Sequence, residues 1–108
     1  MNTFKISFDD FTNQLSKNWN CLEVWFCVDN FPDYWNCWLG KMVERETGSI
    51  IYWYGLVEDG SQAYDFPAID KFINAKVFQG KSIKDIWDLV SFYSFNGGSA
   101  DDWGVNKL

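Results

Sequence analysis

Hydrophobic residues recur at helical spacing close to the start of the chain. Phe8, Phe11 and Leu15 share one face of a helix that the pattern predicts over residues 8–17. Ser7 stands at the N-cap position, and Asp10 follows three residues later, as in a capping box in which Asp replaces Glu. We therefore expect an amphipathic first helix that packs its apolar face against a sheet.

Apolar and polar positions then alternate, which is typical of β-strands. Residues 21–28 alternate over their whole length and predict a first strand. Residues 35–46 and 49–54 predict a hairpin about Thr47-Gly48, where the glycine can adopt a positive φ. The three strands should form one antiparallel sheet.

The pairing in this hairpin decides which side chains share a face. With a two-residue loop, Val43 faces Tyr52 and Lys41 faces Tyr54. The second face of the sheet then gathers Lys41, Arg45, Tyr52 and Tyr54, a composition suited to protein binding because Tyr and Arg are common in binding hot spots. The alternative is that a loop or the final helix covers this face.

Two more helices are predicted in the second half of the chain, after a polar loop over residues 56–66. Pro67 suits the first position of a short helix. Ser82 and Asp85 repeat the capping signal and predict a last helix. The apolar stripe of that helix consists of Ile83, Ile86, Trp87 and Val90.

The predicted order of elements is α-β-β-β-α-α. It implies an α+β fold in which a three-stranded antiparallel sheet carries its helices on one face. We expect a single domain over residues 1–98, followed by a loose polar tail over residues 99–108.

Composition adds an excess of aromatic residues and of acid. The 108 residues include 7 Trp, 10 Phe and 5 Tyr, more rings than a small core is expected to hide completely. The formal net charge is −6, from 9 basic and 15 acidic residues. This charge argues against direct binding of nucleic acid or of an anionic membrane, and it permits a basic protein partner.

The residue types needed for most catalytic and metal sites are missing or misplaced. There is no His, so the usual general base and the commonest metal ligand are absent. The three Cys form no C-x-x-C pair, and two of the four acidic pairs, Asp9-Asp10 and Asp85/Asp88, fall where they stabilise the first turn of a predicted helix. We expect no enzymatic activity, no cofactor and no metal. The chain start lacks the pattern of a signal peptide and no segment reads as a membrane span, so a cytoplasmic protein is expected.

Acidic residues stand beside aromatic ones at three places, and these are the candidate contacts with a partner. The first place is the turn after the first strand, the second is the long polar loop, and the third is the tail. In order, the candidates are Asp33 and Trp35; Glu58, Asp59 and Tyr64; and Asp101, Asp102 and Trp103.

Size, charge and missing catalytic groups together match the profile of small inhibitory proteins. The leading hypothesis is an inhibitor of a basic or nucleic-acid-binding protein, such as the anti-defence or anti-CRISPR-like proteins of phages and mobile elements. The alternatives are a toxin-neutralising immunity protein, an assembly component that forms an oligomer through an exposed aromatic face, and an enzyme that uses only carboxylates. A further alternative is a small-molecule-binding domain whose pocket is lined by Trp25, Trp38 and Trp53.

Overall fold

A five-stranded antiparallel sheet is the frame of the fold. The computed structural model describes residues 3–17 and 21–95. The strands lie in the order β4-β3-β2-β1-β5, and their bounds are β1 Cys21–Val28, β2 Cys37–Val43, β3 Ile50–Gly55, β4 Ala63–Phe66 and β5 Val90–Phe95. The helices are α1 Phe8–Ser16 and α2 Ile69–Asn74, with a short 3-10 helix at Trp87–Leu89.

The predicted three-stranded sheet with the order α-β-β-β-α-α is therefore wrong. The observed order is α-β-β-β-β-α-β, and two strands were missed. Strand β4 lies within the segment predicted as a polar loop, where it pairs with β3. Strand β5 replaces the second half of the predicted last helix and pairs with β1.

The last helix fails because its second half, Val90–Phe95, pairs with β1 as a strand. Val90 and Phe92 point into the core, and this β-branched and aromatic run suits a half-buried strand better than a helix. The capping signal itself is real: the Asp85 N–H donates to Ser82 Oγ at 3.1 Å, and the Ser82 N–H donates to Asp85 Oδ2 at 3.0 Å. These bonds hold a turn that leads into the 3-10 helix rather than into a regular helix.

Two of the local predictions are confirmed. Helix α1 begins at Phe8, and the Asp10 N–H donates to the Ser7 Oγ at 3.0 Å, as expected of an N-cap. Strand β1 has the predicted bounds, with Leu22, Val24 and Phe26 completely buried on one side.

The β2–β3 hairpin has a longer loop than predicted. Lys41 pairs with Tyr52 rather than with Tyr54, because residues 44–49 form the loop and shift the register by two positions. A shift of two leaves every side chain on its predicted face. The face that carries Lys41, Tyr52 and Tyr54 is the buried one, so of the two interpretations of this face the covered one is correct and the binding face is not, although α1 and α2 rather than a last helix cover it.

We call this buried side of the sheet the core face. Both helices and the segment before β5 pack on it, mainly through aromatic rings. Tyr54 stacks on Phe72 of α2 with ring centroids 4.1 Å apart, and it meets Phe78 edge to face at 5.4 Å. At the other end, Phe11 of α1 contacts Phe92 of β5 at 6.1 Å. Such offset and edge contacts are the favoured geometries of aromatic pairs.

Lys41 joins the end of α1 to the sheet from inside this core. Its side chain is 2% exposed, and its Nζ donates to the Leu15 carbonyl at 2.7 Å and to the Lys17 carbonyl. Carbonyls at the end of a helix lack intrahelical donors and carry the negative end of the helix dipole. Burial lowers the pKa of Lys41 below its ordinary value. The ammonium thus has a structural role and is not part of an exposed surface.

Gly40 permits the close approach of β1, β2 and β3. A Cβ at this position would lie 1.9 Å from the Leu22 carbonyl oxygen and 2.9 Å from Cζ2 of Trp53. The nearer of these atoms belongs to the backbone and cannot rotate away.

We predict that Gly40→Ala lowers the free energy of unfolding by about 2 kcal/mol or more, because overpacking typically costs ~1–3 kcal/mol. The matched control is Gly55→Ala in β3, where an added Cβ meets nothing within 4 Å. Denaturant melts of both variants provide the measurement. Equal stabilities of the two variants would contradict the close approach.

Cys37 should make the fold sensitive to alkaline pH. Its side chain is fully buried, its Sγ donates to the Leu56 carbonyl at 3.3 Å, and burial raises the pKa of the thiol to about 12 from 9.0. At a pH between these two pKa values, the thiol is deprotonated in the unfolded chain and protonated in the folded chain. The thiol's contribution to stability is therefore complete below pH 9 and is lost as the pH rises.

We predict that this group alone lowers the free energy of unfolding by ~1.4 kcal/mol for each pH unit above 9. Cys37→Ser should remove that slope, because its hydroxyl does not titrate in this range. The measurement is urea unfolding in reductant between pH 8 and 10. The wild-type minus variant difference isolates Cys37, and a difference that does not change with pH would contradict the prediction.

Candidate functional site

A groove at one end of the sheet gathers part of the predicted contact surface. It has a volume of about 460 Å³ and lies between the turn that joins β1 to β2 and the loop that joins β3 to β4. We call it the acidic groove; it is lined by Pro32, Asp33, Trp35, Val57, Glu58, Asp59, Ser61 and Gln62. Four predicted contact residues, Asp33, Trp35, Glu58 and Asp59, therefore come together.

Hydrogen bonds of Tyr34 stabilise the turn that forms one wall of the groove. The Val28 N–H donates to the Tyr34 carbonyl at 2.8 Å, and Asn30 adopts a positive φ of 67° within the turn. The Tyr34 ring is buried, and its hydroxyl donates to Gln62 Oε1 at 2.9 Å. Burial raises the pKa of Tyr34, so the hydroxyl keeps its proton near neutral pH. This bond fixes the two walls of the groove relative to each other.

The loop that forms the other wall is closed by backbone bonds. The Leu56 N–H donates to the Gln62 carbonyl at 3.0 Å, and Gly60 turns the chain with a φ of 79°. Asp59 Oδ1 accepts the Ser61 N–H at 2.9 Å. Hydrogen bonds from Ser61 lower the pKa of Asp59 below its ordinary value, so the carboxylate stays charged.

Among the residues that the structure describes, no Lys or Arg lines the acidic groove. Its three carboxylates belong to Asp33, Glu58 and Asp59. The ion pairs found within residues 3–17 and 21–95 join Lys5 to Asp29 and Lys76 to Asp85, and neither involves the groove. Across the same residues no three acidic or cysteine side chains are grouped closely enough to hold a metal ion. The groove thus offers dispersed negative charge rather than a chelating cluster.

Asn36 connects the acidic groove to the outer side of the sheet. Its Oδ1 accepts the indole N–H of Trp25 at 2.8 Å, and its Nδ2 donates to Glu58 Oε1 at 2.8 Å. The carboxylate of Glu58 and the ring of Trp25 are therefore positioned by one amide.

The outer side of the sheet carries a row of rings, which we call the aromatic face and define as Trp25, Trp38, Trp53 and Tyr93. Trp25 and Trp38 are cross-strand partners whose rings lie 5.7 Å apart and within 9° of parallel. Tyr93 adds a third ring, 4.3 Å from Trp25. Its hydroxyl donates to the Trp35 carbonyl at 3.0 Å, which ties β5 to the turn.

A β-bulge explains the position of Tyr93. The β1–β5 register passes from Trp25 opposite Ser94 to Phe26 opposite Phe92, so Tyr93 is an extra residue without a cross-strand partner. A bulge re-aims a side chain in this way. Asn36 and Tyr93 were both missed by sequence reasoning. Alternation could have flagged Trp25 as outward-facing, but no local signal marks the bulge in a segment that reads as helical.

Tyr64, a further predicted contact, does not line the groove. Tyr64 pairs with Tyr54 in the β3–β4 ladder and is half-buried against the core. Asp101, Asp102 and Trp103, together with the rest of the predicted tail, lie outside the described residues. The three tryptophans expected to line a pocket instead lie along the sheet surface.

Comparisons with protein-family models, curated proteins and solved structures found no match to this chain. None of the helices in the described parts of the chain combines the length and apolar character needed to cross a bilayer.

We predict that Asn36→Ala speeds hydrogen exchange at the Trp25 indole N–H, because that group loses its acceptor. The Trp87 indole N–H, which donates to the Ile6 carbonyl at 3.0 Å, is the internal control and should not change. Both groups can be followed by NMR in a single sample. Unchanged exchange at Trp25 would show that Asn36 does not hold this ring.

Proposed function

We propose that this protein is a non-enzymatic inhibitor that binds a basic, nucleic-acid-binding protein through the acidic groove. One observation carries the proposal: three carboxylates line the groove, none of the described residues that line it is a Lys or Arg, and the neighbouring Trp35 side chain is 60% exposed. Exposed tryptophan next to charge is a frequent composition of binding hot spots.

Electrostatics favour a basic partner over nucleic acid. The whole chain has a net charge of −6, so approach to a phosphate backbone is repelled and approach to a positive surface is accelerated. A protein that binds nucleic acid presents Lys and Arg arranged to receive phosphates. The carboxylates of Asp33, Glu58 and Asp59 can occupy such positions and exclude the nucleic acid.

The construction of the groove also supports recognition. Bonds from Tyr34 to Gln62 and from Asn36 to Glu58 fix both walls before a partner arrives. A preformed surface loses less conformational entropy on binding. We place this activity in the cytoplasm, where reducing conditions suit the three cysteines, all of which are free thiols.

The test begins with capture of the partner from the native host, followed by association kinetics at two salt concentrations. We predict that Glu58→Lys with Asp59→Lys slows association about tenfold or more and weakens its salt dependence, because rim charges act mainly on the association rate. The melting temperature should change little, since both side chains are exposed.

The matched control is Glu44→Lys with Glu46→Lys in the β2–β3 loop. It changes the net charge by the same amount at the opposite end of the sheet, about 20 Å away at ~3.3 Å per strand residue. If the two double variants slowed association equally, the effect would come from net charge and not from the position of Glu58 and Asp59 in the groove. An acidic partner, salt-insensitive binding, or tight binding of DNA or RNA by the protein alone would overturn the proposal. The captured partner also separates the two kinds of inhibitor, since a toxin indicates an immunity protein and a defence nuclease indicates an anti-defence protein.

A further inference from the structure

The aromatic face is left uncovered by the elements that form the core. Helices α1 and α2 contact the sheet through Phe11 and Phe72, and both contacts are on the core face. Within residues 3–17 and 21–95, no helix lies over the aromatic face. Trp38 and Met42 on this side are 38% and 45% exposed. Large apolar side chains exposed together on one surface mark an interaction site.

The rings of this face are held in fixed positions. The Trp25 indole N–H is bonded to Asn36, and the Tyr93 hydroxyl is bonded to the turn. Trp53 lies against Gly40, where the missing side chain makes room for its ring. Because Trp25 packs against both Trp38 and Tyr93, the more exposed Trp38 is the ring that is most open to a partner.

Negative charge borders the rings. Glu58 stands at the edge of Trp25 through the shared contact with Asn36. In the cross-strand row that contains Trp53, the flanking positions are Glu23 in β1 and Asp65 in β4. The buried Lys41 of β2 belongs to the opposite face. The surface therefore combines π-faces with carboxylates.

This combination fits arginine better than lysine. A guanidinium is planar, so it stacks on an indole while its N–H groups, which lie in its plane, reach carboxylates at the edge. An ammonium is a compact and strongly hydrated charge that makes no such stack. A second copy of this chain is disfavoured on the same face, because it would bring a net charge of −6 and the same acidic border.

We infer that the aromatic face receives arginine side chains of the partner, which continue from the acidic groove along Trp25 and Trp38. This inference rests on the proposed function, because it assumes the same basic partner. It adds that arginine, and not positive charge alone, is what the protein recognises.

Calorimetric titration with hexa-arginine and hexa-lysine peptides tests it. Both probes have the same charge, so the long-range attraction of the acidic groove is the same for both. Arginine can also form bidentate bonds to carboxylates, so only the part of its preference that Trp38→Ala removes belongs to the aromatic face. We expect hexa-arginine to bind roughly three- to tenfold tighter to the wild type than to Trp38→Ala, the range of a cation–π contact, while hexa-lysine binding stays unchanged. Ile50→Ala is the matched control, since it truncates a side chain that is 40% exposed but on the other face.

The outcomes separate this inference from the proposed function. Equal affinities for the two peptides would overturn the arginine inference while leaving a basic partner possible. If neither peptide bound, the arginine inference would also be overturned. The proposed function would then be tested only by the capture of the native partner and its association kinetics. Sedimentation of the wild type as a dimer that Trp38→Ala dissociates would instead assign the face to a second copy. Circular dichroism of each variant verifies that it is folded.

Discussion

Burial of only one side of the sheet is the constraint on which the rest of the structure depends. Successive side chains of a strand point to opposite faces of the sheet, so the neighbours of each core residue lie on the outer side. Leu22, Val24 and Phe26 are fully buried, and this places Trp25 outward; Leu39 in β2 does the same for Trp38. The aromatic face is thus a direct consequence of the core pattern in a sheet whose two described helices both pack on the core face.

The strand order determines where the acidic groove forms. Strands β2 and β3 are antiparallel neighbours, so the chain that enters β2 and the chain that leaves β3 meet at the same end of the sheet. The entering segment brings Asp33 and Trp35, and the leaving segment brings Glu58 and Asp59. Asn36 lies at the junction, where its amide bonds both Trp25 and Glu58. Groove and aromatic face are therefore parts of one continuous surface.

Local signals in the sequence predicted local structure well and long-range pairing poorly. The cap at Ser7, the bounds of β1 and the faces of the β2–β3 hairpin follow from capping chemistry and alternation within a few residues. Strand β5 was missed because Ile83 and Ile86 share a helical spacing with Val90, and only pairing with β1 shows that a strand begins at Val90. Strand β4 is short and half-exposed, so little in its composition separates it from a loop.

In the candidate site, too, local sequence signals identified single residues, while long-range pairing determined which of them come together. Four groove residues were predicted individually from acid beside aromatic residues, but their convergence depends on the antiparallel pairing of β2 with β3. Tyr64 carried the same local signal and is directed to the core side by its position in β4. Tyr93 carried no signal, because a bulge is a property of two paired strands and not of one segment.

Stability and recognition are separated in this molecule. The interactions that hold the fold lie on the core face, where Lys41 binds the end of α1 and Tyr54 packs on Phe72. The residues assigned to partner binding lie at one end of the sheet and on its outer side, and Asp33 and Trp35 are exposed there. Surface substitutions away from core contacts change stability little. Under the proposed function, the charges and exposed side chains assigned to partner contact could therefore change without loss of the fold.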